Sequence, residues 1–244
     1  MAEQEISKHT KNLWKIIKGD GHHVNHPVWH KVREVALEIF IIVFAVSLSI
    51  WMHGLGEHRH EQQQVKAFLV GLKKDLRDDV GNIDNIIKAH RDYDVSYRYL
   101  TDLDPSTQPD PVKFEAAYVD ARSNYFFDPQ ASRYEGFKSS GKLTDIENDE
   151  LQEEIVSLYQ QSLPQIRNSE NGWKHSQTNL ENYLEISLDS PTGEDLRFKL
   201  LTAPKGKRLC KAMITNHQLF ERYQSYVERA TRIIKAIDLA YPES

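Results

Sequence analysis

The stretch VALEIFIIVFAVSLSIWMHGL, residues Val35 to Leu55, decides the fold class of this 244-residue chain. No charged residue interrupts it between Ile39 and Trp51. As an α-helix it would be about 31 Å long, close to the hydrocarbon thickness of a bilayer. We therefore predict one transmembrane helix over 35–55. The alternatives are a buried core helix and a cleaved signal peptide, and the signal peptide is disfavoured because no small-residue cleavage site follows the stretch.

The residues before the predicted span carry an excess of positive charge. Six of them are basic: Lys8, Lys11, Lys15, Lys18, Lys31 and Arg33. After the span, basic residues are fewer at first, and Glu57 and Glu61 stand among them. The positive-inside rule therefore predicts a cytoplasmic segment over 1–34 and an extracytoplasmic domain over 56–244.

The N-terminal segment also combines apolar and basic residues. Leu13, Trp14 and Ile17 stand among lysines. This pattern is typical of a short helix that lies on the anionic inner leaflet. A disordered cytoplasmic tail is the alternative.

Small or polar residues share one face of the predicted membrane helix. They follow one another at intervals of seven, four, three and four: Glu38, Ala45, Ser49, Met52 and Gly56. Such stripes usually face another helix in the bilayer. We therefore predict a homo-oligomer or a membrane-protein partner. Glu38 is either a functional carboxylate at the apolar edge or a group close enough to the cytoplasmic surface to reach water.

Residues 56–244 are predicted to form an all-α domain, a helical bundle that continues the membrane helix. Apolar residues recur at threes and fours from Val65 to Ile87, as on a helix with one broad core face. Gly54 and Gly56 are the expected place for a bend. A loop rich in Asp and Pro is expected to end this helix from Arg91 onward.

Cap and breaker residues predict the next helices. A short helix is expected around Val112 to Ser123, and another is expected to begin at a capping Ser132 and to close at Ser139 to Gly141. The following helix should begin near Asn148. Pro164 should kink or end it.

The last segment has the cleanest heptad pattern. Its apolar residues alternate by three and four: Phe220, Tyr223, Val227, Ala230, Ile234, Ile237 and Tyr241. A break is expected at Asp189 to Gly193, before this segment. The pattern predicts a helix-pairing seam in a bundle or coiled coil. Pairing with the helix that follows the membrane span is the more economical interpretation.

Composition and motifs argue against several functional classes. The net charge of −5 is spread along the chain without a polybasic run, which argues against nucleic acid. The single cysteine, Cys210, cannot form an internal disulfide. No phosphate-binding loop, dinucleotide fingerprint, zinc-protease helix or nucleophile elbow is present in the sequence. We therefore predict neither an enzyme nor a cofactor, and Ser139 and Ser140 are interpreted as cap and turn residues.

Two groups of residues contain side chains that can bind a metal, but neither group fits the pattern of a metal site. The acidic group is Asp92, Asp94, Asp102, Asp104 and Asp110. It lacks the glycine and terminal glutamate of an EF-hand, so a solvated turn is the preferred interpretation. The histidine group is His22, His23, His26, His30, His53, His58 and His60. Pro27 interrupts its first half, and solvated residues near the membrane are preferred over a metal site or a pH-responsive cluster.

Two elements resemble a family of uncharacterised bacterial single-span membrane proteins. The first is the Glu-Ile-Phe membrane entry at Glu38, Ile39 and Phe40. The second is the Tyr-Glu-x-x-Lys-Ser-Ser-Gly element, matched at Tyr134, Glu135, Lys138, Ser139, Ser140 and Gly141. The chain departs from that family at the membrane exit, where Trp51 to His53 replace an Asn-Trp-Asn type sequence. The resemblance implies a membrane-anchored helical domain, with no known activity and no catalytic residues.

These observations favour a membrane-anchored interaction or scaffolding protein, a subunit of an oligomeric complex in the bacterial inner membrane. Its predicted partners are the lipid bilayer and another membrane-inserted chain. The alternative is a ligand-binding sensor subunit, which would signal through a separate membrane partner because residues 1–34 are too few for an output domain. A membrane-tethered hydrolase is a third class without a supporting motif.

Overall fold

The structure is a computed structural model that describes residues 28–185 and 196–242. Every regular element in this part of the chain is helical, which confirms the predicted all-α class. The chain divides into two compact units, Met1–His58 and Arg59–Ser244. The expected break at 189–193 and the N-terminal stretch 8–18 lie outside the described residues.

The described helices are numbered here in chain order. They are α1 (Val28–Asp102), α2 (Pro111–Arg122), α3 (Ser132–Ser139), α4 (Asp149–Ser157), α5 (Leu163–Glu185), α6 (Arg197–Thr202), α7 (Pro204–Met213) and α8 (His217–Ala240). A 3₁₀ turn, Lys142–Asp145, precedes α4, and a π-helical turn, Leu158–Ser162, joins α4 to α5.

Helix α1 extends further than the sequence suggested. It does not end at Arg91 but runs to Asp102. The reason is burial: Tyr97 and Leu100 are fully buried, and the Tyr97 hydroxyl donates a hydrogen bond to the carbonyl of Ala121 at 3.1 Å. Tertiary packing of these side chains outweighs the low helix propensity of the Asp-rich stretch.

The signals that begin and end the shorter helices are mostly confirmed. Asn148 caps α4 by accepting the N–H of Leu151 at 3.0 Å. Helix α3 ends at Ser139, and Gly141 adopts a left-handed φ of 75° that suits glycine. The capping role predicted for Ser132 is wrong, because Ser132 is the first helical residue and Ala131 holds the cap position without a side-chain hydrogen bond.

The sequence predicts that Pro164 kinks or ends the helix, and of these two outcomes the helix end is wrong. Helical structure continues from α4 through the π-helical turn into α5 and reaches Glu185. The π-helical turn stands directly before the proline and shifts the hydrogen-bond register there. This local change accommodates a residue that has no N–H to donate.

The unit Arg59–Ser244 contains two hydrophobic clusters. The larger gathers the α1 residues from Val65 to Ile86 with residues of α3, α4, α5 and α8. The smaller gathers the end of α1, around Tyr97 and Leu100, with residues of α2, α5, α6 and α7. Helices α1 and α5 contribute to both clusters, so they connect the two halves of this unit.

Candidate functional site

The first candidate site is the apolar stretch within α1. Its large side chains are exposed, with Phe40 at 67%, Ile50 at 69% and Trp51 at 63% of their full accessible area. The helix is long and apolar enough to cross a membrane by length and composition. A soluble protein rarely exposes a continuous apolar surface of this size without a binding role.

The predicted packing stripe lies on this exposed helix. All five of its residues, Glu38, Ala45, Ser49, Met52 and Gly56, are exposed in the isolated chain. At about 100° per residue they occupy one side of the helix. The stripe is therefore open to a second helix.

The predicted helix-pairing seam lies on α8, within the larger cluster. Three of its residues, Tyr223, Ala230 and Ile237, are fully buried. The other four are half-buried and pack against the same cluster: Phe220, Val227, Ile234 and Tyr241. The buried face of α8 is shifted toward three residues outside the predicted set: Leu219, Tyr226 and Ile233.

Polar contacts show that α8 packs against α1 of the same chain. The Tyr226 hydroxyl donates a hydrogen bond to the Asp79 carboxylate at 2.8 Å. Nearer the end of α8, Asp238 accepts a hydrogen bond from Lys73 at 3.0 Å. The helix-pairing seam on α8 therefore packs against other helices of the same chain.

A second candidate site is a set of buried polar side chains around an irregular segment. Residues 123–131 lie between α2 and α3 without regular structure. At the ends of the segment, the Ser123 N–H donates to the Asp120 carbonyl of α2 and the Ala131 carbonyl accepts the N–H of Glu135 of α3. Phe127 of this segment is buried, and its ring packs edge-on against that of Tyr226 with the ring centroids 5.0 Å apart. Buried backbone donors and acceptors are nearly always paired, and here the partners are side chains.

Glu170 of α5 holds the centre of the segment. Its Oε1 accepts the backbone N–H of Phe127 at 2.8 Å and the Tyr223 hydroxyl at 2.6 Å. The side chain is 7% exposed. Desolvation by burial raises its pKa above the ordinary value of 4.5, although both hydrogen bonds oppose the shift.

Asp79 of α1 and Gln177 of α5 hold the two ends of the segment. Asp79 accepts the backbone N–H of Gln130 at 3.0 Å, and Gln177 donates to the carbonyl of Ser123 at 3.1 Å. Both side chains are buried. Burial raises the pKa of Asp79 above 3.8 and outweighs the opposing hydrogen bonds.

His90 of α1 completes the set. Its Nε2 lies 3.1 Å from the carbonyl oxygen of Tyr125, and its Nδ1 lies 3.4 Å from the Thr215 hydroxyl. A carbonyl can only accept, so Nε2 carries the proton and Nδ1 is the acceptor in the neutral ring. Desolvation lowers the pKa of His90 below 6.5 and favours this neutral form.

The arrangement stabilises the irregular segment. Both carboxylates and the imidazole are occupied by backbone groups and hydroxyls. Cys210 is buried, and burial raises the pKa of its thiol to about 12, so it is a poor nucleophile. Within residues 28–185 and 196–242, no group of three or more His, Cys, Asp or Glu side chains is placed to hold a metal ion.

Three of the five acidic residues considered for calcium have separate structural roles. Asp110 caps α2 by accepting the N–H groups of Val112 and Lys113 at 2.8 and 3.0 Å. Asp104 accepts hydrogen bonds from Ser106 in the turn that precedes α2. Asp94 accepts the backbone N–H of Thr215 at 2.6 Å. In the histidine group, His53, His58 and His60 lie exposed on α1, and the earlier members lie outside the described side chains.

Sequence reasoning missed the buried polar set, although the pattern contained its signal. On α5 the residues at three-four spacing are Leu163, Ile166, Glu170, Trp173, Gln177, Leu180 and Leu184, and all of them are buried. Glu170 and Gln177 are the polar members of this apolar stripe. Polar residues at core positions of a heptad indicate specific buried partners.

Replacing Glu170 tests the support of the irregular segment. Glu170→Ala leaves the Phe127 N–H and the Tyr223 hydroxyl without their acceptor, which should cost about 1–3 kcal/mol of unfolding free energy. Glu170→Gln keeps an oxygen at the same place and removes a buried charge, so it should stay within about 1 kcal/mol of the wild type. Chemical denaturation of the full chain in mild detergent, followed by circular dichroism, measures both. Equal losses in the two variants would refute the hydrogen-bond role.

The pH dependence of stability should contain a His90 contribution. Because the folded-state pKa of His90 is lowered, its contribution is present above about pH 6.5 and is lost as the pH falls through the folded pKa. Asp79 and Glu170 act in the opposite direction, since their raised pKa values add relative stability as the pH falls through those values. His90→Gln preserves a donor and an acceptor but cannot titrate. Its loss of melting temperature between about pH 7.5 and about pH 5.5 should be smaller than that of the wild type, and an unchanged loss would count against this account.

Comparison with known proteins places the chain in a family without a known function. Residues 34–185 match DUF6090, described as a family of unknown function. Both sequence elements that carried the resemblance lie inside this range. No curated protein and no solved structure matches the chain. Because the match covers more than half of the 244 residues, the chain belongs to the DUF6090 family.

Proposed function

We propose that this protein is a single-pass membrane protein whose helical domain acts in interaction or scaffolding, as a subunit of an oligomeric membrane complex. The observation that carries the proposal is the exposed apolar stretch of α1 with its stripe of small and polar residues. Such a surface is stable in lipid, and the stripe permits the close approach of a second helix.

The rest of the described chain supports an interaction role over catalysis. The α8 seam is occupied by contacts within the chain, and the buried acids and His90 hold backbone groups. Every face of the membrane stretch of α1 is exposed in the isolated chain, and the stripe is the face whose small side chains permit the close approach of a second helix. A second copy of the same helix or a helix of another membrane protein would fit it.

The proposed topology follows the charge distribution. Lysine and arginine are concentrated before the span, so residues 1–34 belong in the cytoplasm and residues 56–244 on the extracytoplasmic side of a bacterial inner membrane. Glu38 then lies close to the cytoplasmic surface. The membrane would hold the helical domain near its partners.

Leucine substitutions on the stripe should weaken association. Ala45→Leu with Ser49→Leu fills the close-approach surface, whereas Ala36→Leu with Ser47→Leu makes the same chemical changes about 180° and 200° around the helix. Size-exclusion chromatography with light scattering in mild detergent measures the oligomer. We expect the stripe pair to shift the chain toward monomer and the opposite pair to leave the oligomer intact. A wild-type monomer without companions, or identical behaviour of the two pairs, would contradict the proposal.

Cysteine labelling tests the topology, because native Cys210 is buried and should not react. Val95 is 68% exposed on α1 beyond the span, and Val32 is 57% exposed before it. In intact spheroplasts a membrane-impermeant maleimide should label Val95→Cys and spare Val32→Cys until the cells are lysed. The reverse pattern would refute the orientation, and labelling of both before lysis would refute the span.

A further inference from the structure

A cleft of about 330 Å³ lies between α5 and the start of α8. Much of its wall consists of uncharged polar side chains: Asn168, Ser169, Ser176, Asn216 and Gln218. Gly172 and Trp173 also line it. Its volume is at the lower end of the range for small-molecule sites, about 300–1,000 Å³.

Arg222 supplies the charge of this cleft. It is the only charged side chain among the described residues of the wall. Its Nη1 donates to the carbonyl of Gln165 at 2.7 Å and also to the Ser169 hydroxyl. These bonds fix the guanidinium at the cleft wall before any ligand arrives.

The guanidinium is not neutralised by the described part of the chain. No Asp or Glu oxygen there forms a salt bridge with Arg222, and no described protein atom accepts a hydrogen bond from its Nη2 or Nε. By contrast, Arg232 and Arg229 of the same helix both pair with Glu154. The planar donors that remain on Arg222 suit the two oxygens of a carboxylate or phosphate.

The N-terminal end of α8 adds positive electrostatic potential beside the cleft. Asn216 caps this 24-residue helix and lines the cleft together with Gln218. The N-terminal end of a helix carries partial positive charge, which favours an anion nearby.

We propose that this cleft binds a small polar oxyanion, with Arg222 pairing with its carboxylate or phosphate and the amide and hydroxyl side chains holding its uncharged part. This binding activity goes beyond the proposed interaction role. If the protein is a sensor subunit, the alternative function considered above, a small polar oxyanion would be its ligand. The site also lies against the polar core, because the Trp173 ring that lines the cleft contacts the His90 ring at 5.1 Å.

Thermal unfolding of the full chain in mild detergent tests this site. The probes are inorganic phosphate and malonate, added at rising concentration while sodium chloride keeps the ionic strength constant. We expect at least one probe to raise the melting temperature of the wild type. Arg222→Gln should weaken its apparent affinity by about tenfold or more, because it removes the charge and the paired donors. Arg222→Lys keeps the charge but loses the paired donors of the guanidinium. Its apparent affinity should therefore lie between those of the wild type and Arg222→Gln.

A glycine pair provides the matched control. Gly172 lines the cleft with nothing within 4 Å of an added Cβ, and Gly81 of α1 has the same open space elsewhere. Gly172→Leu should block the probe, whereas Gly81→Leu should bind it as the wild type does. Circular dichroism checks that each variant is folded.

Two results would overturn the proposal that the cleft binds an oxyanion. No stabilisation of the wild type by either probe would overturn the proposal. Full stabilisation retained in folded Arg222→Gln or Gly172→Leu would do the same, since the anion would then act elsewhere. The stripe variants of α1 should bind the probe normally, so failure of this proposal is distinguishable from failure of the proposed membrane association.

Discussion

The structure of the helical unit depends on one constraint: the irregular segment 123–131 packs among helices and needs partners for its backbone groups. Four buried side chains provide them, two from α1 and two from α5: Asp79, His90, Glu170 and Gln177. Tyr223 and Tyr226 of α8 donate hydrogen bonds to the two carboxylates of this set, Glu170 and Asp79 respectively. One polar set therefore fixes the register of three helices around one segment.

The helical periodicities could be predicted from sequence because they arise from local spacing. The apolar face of α1, the caps at Asn148 and Gly141 and the amphipathic character of α8 all follow from residues close together in the chain. The polar set could not be derived this way, since Phe127 and Glu170 are 43 residues apart. The same limit explains the error at Arg91 and the continuation of the helix through Pro164, where tertiary burial and a π-helical turn outweighed the local breaker signals.

The two predicted packing surfaces differ in how the chain covers them. The seam on α8 is occupied by α1 and the larger cluster, and its buried face is one residue away from the predicted one at several positions. The stripe on α1 is exposed along its length. No feature of the sequence singled out the cleft beside Arg222, because its wall combines residues of α5 with the start of α8, which lie far apart in the chain.

Amide hydrogen exchange at the irregular segment tests the central structural account most directly. In the full chain in mild detergent, the amides of Phe127 and Gln130 should exchange nearly as slowly as that of Ile83 in the core of α1, because each donates to a buried carboxylate. The amide of Gln108, which is exposed in the loop between Asp104 and Asp110, provides the fast reference. Exchange of Phe127 and Gln130 at the fast loop rate would contradict the account.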